Sequence, residues 1–223
     1  MVITSKLSDN KLLEAIHRAA AEYSKLIGNE YLVIGKNKNS NYFWFQCRFE
    51  KKNFMHLLGI DSKTLRADEF YDRCDEYNNG IGTGILISDC HPSRNHNRTT
   101  INEKSSCCAD MLRIKDAKYM KVGLKDKISQ FVDFSYAYGS TAILGFQKVG
   151  NMSSFPITLI ARSIDEFTSK KYKIICLLEK KIEDEKYRNI LVEIKQGLLL
   201  ELYFELPNEL KALIINGVGQ KHT

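Results

Sequence analysis

Residues 42–60, YFWFQCRFEKKNFMHLLGI, constrain the fold most, because their hydrophobic period changes partway along. Up to Phe49 the side chains alternate, which puts Phe45 and Cys47 on one face of an extended chain and Arg48 on the other. After Glu50 the apolar residues recur at intervals of three and four until Gly59, a residue suited to end a helix with positive φ. We therefore predict a strand with one buried face, followed by a short helix.

The predicted helix carries a candidate chemical site. Lys52 and His56 are four residues apart and so share one side of the helix. A cation beside an imidazole lowers the imidazole pKa and holds the ring neutral as a proton acceptor, and it also attracts a phosphate oxygen. A histidine flanked by Met55 and Leu57 can equally be a hydrogen-bonded packing residue, and the spacing leaves both interpretations open.

Several blocks in this part of the chain resemble a known family. They are EYSKLIGNEYLVIG (22–35), FEKKNFMHLLGI (49–60) and ADEFYDRC (67–74), and the similarity continues through RTTINEKSSCCADMLRI (98–114), AILGFQKVGNMSSFPITLI (142–160) and YKIICLLEKKIEDEKY (172–187). In this order they resemble a phage and mobile-element family within the barnase, EndoU, colicin and RelE-like (BECR) ribonuclease superfamily. The resemblance implies N-terminal helices packed against an antiparallel sheet, and toxin-like cleavage of RNA without a metal. Members of the superfamily do not share one catalytic set, so site residues have to be sought in this chain.

An RNase without a metal must take a proton from a ribose 2′-hydroxyl, stabilise a charged phosphorane and protonate the leaving oxygen. We assign His56 as general base or acid, Arg48 and Lys52 as phosphate stabilisers, and Lys180 to the opposite wall of the site. The candidates for substrate contact are Lys51, Asn53, Tyr71, Arg98, Lys104, Ser135 and Thr141, although packing is the preferred role for Tyr71. These roles predict that His56→Ala abolishes cleavage. RNA is the expected partner, an antitoxin or immunity protein is a second partner class, and no cofactor is expected.

The remaining pattern predicts an α+β fold. Helices are expected over residues 8–27, 67–77 and 99–114, and antiparallel strands over 31–35, 118–122, 131–138, 142–149, 155–161 and 173–182. Residues 183–194 have a helical period, and 198–213 read as a strand and then a helix after Pro207. His17 is expected at the surface, and Pro156 in an edge strand or in the approach to a strand. Residues 78–100 are expected as a disordered loop, with a substrate-gripping segment as the alternative. We expect one nuclease domain over 1–197, with a packed extension and a loose tail over 198–223.

Charge is unevenly distributed along the 223 residues, which carry a net charge of +6. Residues 36–66 hold seven Lys or Arg against two acids, whereas residues 183–211 hold seven acids against four bases. The basic part would attract a polyanion such as RNA, although solvated surface charge is an equally good interpretation. No apolar run reaches membrane-spanning length, so a cytoplasmic protein without membrane association is expected.

Three alternatives stay open at the level of sequence. Glu193 and Lys195 form the E-x-K half of a magnesium-dependent nuclease site, which would favour DNA cleavage. Cys90, His91, His96, Cys107 and Cys108 can be arranged as a zinc site, but their spacing is not a standard one and no metal site is predicted. The chain can also be a binding module that keeps a nuclease fold without its chemistry.

Overall fold

The structure is a computed structural model that describes residues 7–94, 96–113, 117, 119–124, 136–148, 153–166 and 168–215. The helices in this part of the chain are α1 (Asp9–Ser24), α2 (Lys51–Leu57), α3 (Ala67–Asn78), α4 (Arg98–Leu112), α5 (Leu198–Leu202) and α6 (Asn208–Leu213). The strands are β1 (Asn29–Lys36), β2 (Tyr42–Arg48), β3 (Lys121–Leu124), β4 (Tyr136–Gly139), β5 (Ile143–Lys148), β6 (Ser154–Ile160), β7 (Lys171–Lys181) and β8 (Asn189–Glu193). The predicted α+β class, with helices on a mostly antiparallel sheet, is confirmed.

The eight strands form one sheet in the order β1-β2-β6-β5-β4-β3-β7-β8, and β7 also pairs with β1. One side of β7 pairs with β1, while the other side pairs first with β3 and then with β8. Seven strands therefore close on themselves. Closure between β2 and β6 rests on one parallel pairing, Cys47 with Ser154, so Pro156 lies beyond the paired part of that side. Pro156 was expected at an edge or in the approach to a strand; it lies within β6, which stands between β5 and β2 in the sheet order, but the pairing with β2 is limited to Ser154.

The large core lies between the sheet and the first four helices. Ser8 caps α1 by accepting from the Lys11 amide, and the buried stripe of this helix packs against α3 and α4. The predicted alternation of β2 is confirmed, because Phe45 and Cys47 are buried in this core. Burial of apolar side chains on this scale is the main stabilising term in such a fold.

A smaller core covers the opposite face of β1, β2 and β7. Its side chains come from the sheet and from the segment that contains α5 and α6; its fully or nearly buried members are Leu32, Ile34, Ile175, Cys176, Leu178, Tyr187, Leu199, Leu206, Leu210 and Ile214. Tyr187 joins the two parts, because its amide donates to the Leu213 carbonyl and its own carbonyl accepts from the Ile215 amide. The helix predicted after Pro207 is confirmed as α6.

Two predictions near the end of the chain are wrong. Residues 189–193 form strand β8 instead of continuing a helix, because the second half of β7 has an unpaired backbone edge that β8 satisfies. Val192 is buried in this strand, whereas Leu191 and Ile194, which the helical period would place on one side with Ile190, are exposed. Residues 198–202 are helical instead of extended, with Glu193 accepting from the Leu199 amide at the start of α5.

The segment after α3 is better packed than predicted. His17 is buried instead of exposed, because it stacks on the Tyr77 ring at 4.0 Å and Gly84 closes against it. The irregular residues 78–100, expected to be disordered, are described except for residue 95 and contain a 3₁₀ turn at Ile87–Asp89. A bridge between Ile60 and Pro92 ties this segment to the end of α2.

Within the described residues, no helix has the length and apolar character needed to cross a membrane.

Candidate active site

A group of polar side chains lies on the sheet face opposite the first four helices, where β2, β1 and β7 run side by side. Strand register places Glu30 of β1 directly opposite Arg48 of β2 and Lys180 of β7. Directly opposed residues project from the same face of a sheet, so the three charged side chains meet. We call the group the Glu30 cluster; its members are Glu30, Gln46, Arg48, Ser153, Lys180 and Tyr187.

The charged members form a carboxylate held between two cations. Arg48 Nε lies 2.5 Å from Glu30 Oε2, and Lys180 Nζ lies 3.3 Å from Glu30 Oε1. Lys180 Nζ also donates to the Asp184 carbonyl oxygen at 2.6 Å, which fixes the ammonium beside the carboxylate. The arrangement combines a proton-accepting group with two groups that stabilise anionic oxygens.

The neutral members complete the hydrogen bonding of the carboxylate. The Tyr187 hydroxyl donates to Glu30 Oε1 at 2.7 Å, and the Ser153 hydroxyl donates to Oε2. Gln46 Nε2 lies 3.2 Å from Glu30 Oε1 and 3.1 Å from the Tyr187 oxygen, so it links the carboxylate to the phenol. Both oxygens of Glu30 are thereby satisfied, as a buried charge requires.

These contacts set the ionisation of the cluster. Burial alone would raise the pKa of the Glu30 carboxyl, but hydrogen bonds from Ser153, Tyr187 and Arg48 and the charge of Lys180 lower it to about 2. Burial raises the pKa of the Tyr187 phenol, and its hydrogen bond to Glu30 raises it further. Glu30 is therefore ionised and Tyr187 protonated at neutral pH.

Access to the cluster is from the side of Arg48. The Arg48 side chain is 30% exposed, whereas the Glu30 side chain is 2% exposed and that of Lys180 is 9% exposed. A molecule arriving from solvent therefore meets the guanidinium first, and Glu30 and Lys180 lie behind it.

The structure brings together two of the four predicted catalytic residues, Arg48 and Lys180. The other two, Lys52 and His56, lie on the exposed side of α2, which packs on α3 and β6. Lys52 pairs with Glu50 at 2.7 Å. Nowhere in the described ranges does a hydrogen bond or ion pair connect either residue to the Glu30 cluster.

The candidates for substrate contact near α2 have local roles. Lys51 pairs with Asp72 at 2.7 Å and lies over the ring of Tyr71. Tyr71 itself is buried against Tyr23 and Phe54, in agreement with the packing role preferred for it. Asn53 is half-buried, and its Oδ1 has no hydrogen-bond partner among the residues described.

The remaining candidates are dispersed. Arg98 pairs with Asp9 at 2.6 Å, and Thr141 is exposed in the turn between β4 and β5. Lys104 is buried within α4, on the helical side of the sheet. Ser135 lies outside the described residues.

The proposed magnesium and zinc ligands have other surroundings. Glu193 accepts from the Gly197 and Leu199 amides and so caps α5, while Lys195 pairs with Glu201 at 2.9 Å. In the part of the chain that the structure describes, no three His, Cys, Asp or Glu side chains are grouped so that they could hold a metal ion.

Four members of the Glu30 cluster were missed from the sequence: Glu30, Gln46, Ser153 and Tyr187. A signal existed for Glu30, because it is in phase with Leu32 and Ile34 on a strand whose two faces are both apolar. A glutamate in that phase is buried with these residues, and its carboxylate then needs hydrogen-bond or ion-pair partners. Tyr187 offered no comparable signal, because its position depends on the chain that follows it.

Comparison with known protein families identifies the family of this chain. The model of the family described as phage-Barnase-EndoU-ColicinE5/D-RelE like nuclease4 matches residues 15–196. No curated protein and no solved structure matches the chain. The matched range includes every member of the Glu30 cluster and ends just before α5.

Proposed function

Because the chain belongs to the phage-Barnase-EndoU-ColicinE5/D-RelE like nuclease4 family, we propose that it is a metal-independent endoribonuclease with the Glu30 cluster as its active centre. A nuclease of this family acts on nucleic acid. The observation that carries the choice of site is the meeting of Glu30, Arg48 and Lys180 on three adjacent strands. The two cations beside the carboxylate can neutralise phosphate charge, which is the role of the metal in a metal-dependent nuclease.

The proposed reaction begins with the ribose 2′-hydroxyl. Its proton passes to Glu30 as the 2′-oxygen attacks the adjacent phosphorus, and the bond from phosphorus to the 5′-oxygen breaks. Lys180 gives a proton to the departing 5′-oxygen, and Arg48 stabilises the charged phosphorane between these events. The products are a 2′,3′-cyclic phosphate and a 5′-hydroxyl. The proton then returns from Glu30 to Lys180, whose nitrogen lies 3.3 Å from the carboxylate.

The low pKa of Glu30 is compatible with this role because its partners change when substrate binds. A substrate phosphate competes for Arg48 and Lys180, and each cation shared with it holds the carboxylate less tightly. The basicity of Glu30 therefore rises in the complex. Tyr187 and Ser153 keep the carboxylate in place while the cations turn toward the phosphate.

The test compares substrates and variants in one assay. Purified protein is incubated with total RNA and with single-stranded and duplex DNA, each in EDTA and in magnesium, and product ends are analysed for cyclic phosphate. We expect RNA cleavage in EDTA, no DNA cleavage, and a loss of about 10²–10⁴-fold in rate for Glu30→Gln. Circular dichroism and thermal melting establish that the variant is folded.

His56→Ala is the matched comparison, because it tests the alternative site on α2. Retained cleavage in His56→Ala together with loss in Glu30→Gln supports the Glu30 cluster. The reverse result would transfer the active centre to Lys52 and His56. Cleavage that needs magnesium would favour Glu193 and Lys195, and binding of nucleic acid without turnover would favour a binding module.

A further inference from the structure

Lys104 is a buried cation without an acidic partner. The residue is 5% exposed, and the described part of the chain provides no ion pair or hydrogen bond for its ammonium group. Fully buried lysines are rare unless they are paired, because an ammonium group loses its hydration on burial. The neighbours of Lys104 therefore indicate what else can neutralise it.

Three elements meet at Lys104. Gly59 ends α2 with a φ of +71°, and a β-carbon built on it would lie 3.4 Å from Lys104 Cδ and 3.1 Å from His96 Cδ2. The lysine stem and the imidazole ring therefore both lie against the Gly59 backbone. The loop that carries His96 is held to the same point, because the Ser93 amide donates to the Gly59 carbonyl at 2.9 Å.

The polar groups here are arranged as donors. His96 Nδ1 lies 2.7 Å from Ser93 Oγ, and when the serine donates to it the ring proton is on Nε2. Burial, and secondarily the charge of Lys104, lower the pKa of His96, so the ring is neutral at neutral pH. Burial lowers the pKa of Lys104 to about 8, against the opposing influence of Cys107 and Cys108, so the group is still mostly protonated at pH 7.

We propose that Lys104 and His96, whose ring is oriented by Ser93, form a binding site for a terminal phosphate group. The ammonium supplies charge and up to three donors, and a neutral His96 supplies one more. The burial of Lys104 favours a terminal group, because a phosphodiester within a strand carries a bulky substituent on each side. The site is on the helical side of the sheet, opposite the Glu30 cluster, and it does not depend on which nucleic acid is cleaved.

The test measures phosphate binding directly. Inorganic phosphate and adenosine 5′-monophosphate are titrated by calorimetry and by thermal shift at constant ionic strength. We expect both to bind the wild type, and Lys104→Met to lower their affinity at least about tenfold, as loss of a charged hydrogen-bond donor predicts. Lys63→Met removes an exposed lysine and should leave the affinity unchanged. Without phosphate, Lys104→Met should melt at the same or a higher temperature than the wild type, since it removes an unpaired buried charge.

Two further arms identify the source of the phosphate and keep the proposal testable. The affinities of a single-stranded oligodeoxynucleotide with a 5′-phosphate and of its 5′-hydroxyl form are compared. Tighter binding of the 5′-phosphate form would assign the site to nucleic acid ends. Equal binding of the two forms, with the affinity for the mononucleotide retained, would assign the site to free phosphates. If Lys104→Met does not fold, His96→Gln and the His96 ring resonances of the wild type report the same titration. Absence of phosphate binding in the wild type, or unchanged binding in Lys104→Met, would refute the site. Lys104→Met should lower the phosphate affinity by the same factor in a Glu30→Gln background, which separates this result from the outcome of the cleavage assay.

Discussion

Replacement of Glu30 by glutamine should remove part of the acid sensitivity of the fold. In the folded chain the pKa of this carboxyl is lowered to about 2, against an ordinary value of 4.5. The stabilisation it provides is therefore complete above the unfolded pKa and is lost as the pH falls toward 2. Between about pH 5 and about pH 3 an unfolded glutamate takes up most of a proton, whereas folded Glu30 takes up almost none.

Linkage converts this difference into free energy. The uptake between those two pH values corresponds to about 2 kcal/mol of unfolding free energy. Arg48, one of the stabilising partners, is partly exposed, and solvent screening reduces the figure to about 1–2 kcal/mol. Glu30→Gln starts from a lower stability at neutral pH because it leaves Arg48 and Lys180 without their carboxylate, so the informative quantity is the slope against pH.

Urea unfolding followed by circular dichroism at several pH values between about 3 and 7 gives that slope. The other carboxyl groups titrate in both proteins, and the difference between wild type and Glu30→Gln isolates Glu30. Glu14→Gln, at an exposed position on α1, is the matched control and should retain the wild-type slope. If Glu30→Gln loses stability between pH 5 and pH 3 as steeply as the wild type, the carboxylate is not held by the contacts described.

Two further predictions concern the helical side. Gly59→Ala should lower the unfolding free energy by about 1–2 kcal/mol from backbone strain alone. The loss should exceed that of Gly80→Ala, because Gly80 has a similar φ of +72° but no atom near its β-carbon. Equal losses of free energy in urea unfolding would argue against the contact with His96. His17 has its pKa lowered by burial, so the wild type should lose thermal stability as the pH falls below about 6.5, where the unfolded chain takes up the proton more readily. His17→Phe should flatten this dependence, and an unchanged slope would contradict the burial of a neutral ring.

The helices and strands that could be predicted are those whose conformation is determined by their own local sequence. The alternation of β2, the short helix ended by Gly59 and the first helix are local patterns, and each lies where it was predicted. Arg48 could be placed on its face of the strand for the same reason. The residues that contact Arg48 could not be predicted, because Glu30 and Lys180 reach it through strand pairing between segments far apart in the sequence.

The errors share a physical cause. Residues 187–194 satisfy a helical period, but the open edge of β7 provides backbone hydrogen bonds that select a strand. His17 reads as a surface residue on its own helix, yet Tyr77 and Gly84 cover it from a segment sixty residues away in sequence. Such tertiary demands override local preference.

The residues that support the Tyr187 main chain extend beyond the end of the family match. The match stops at residue 196, whereas the main chain of Tyr187 is bonded on both sides to Leu213 and Ile215. A chain shortened to the matched range would keep every side chain of the Glu30 cluster but lose the support behind the phenol that orients its carboxylate. In this protein the members of the Glu30 cluster and their alignment are therefore encoded separately: the family region supplies the side chains, and the closing segment holds the main chain of one of them.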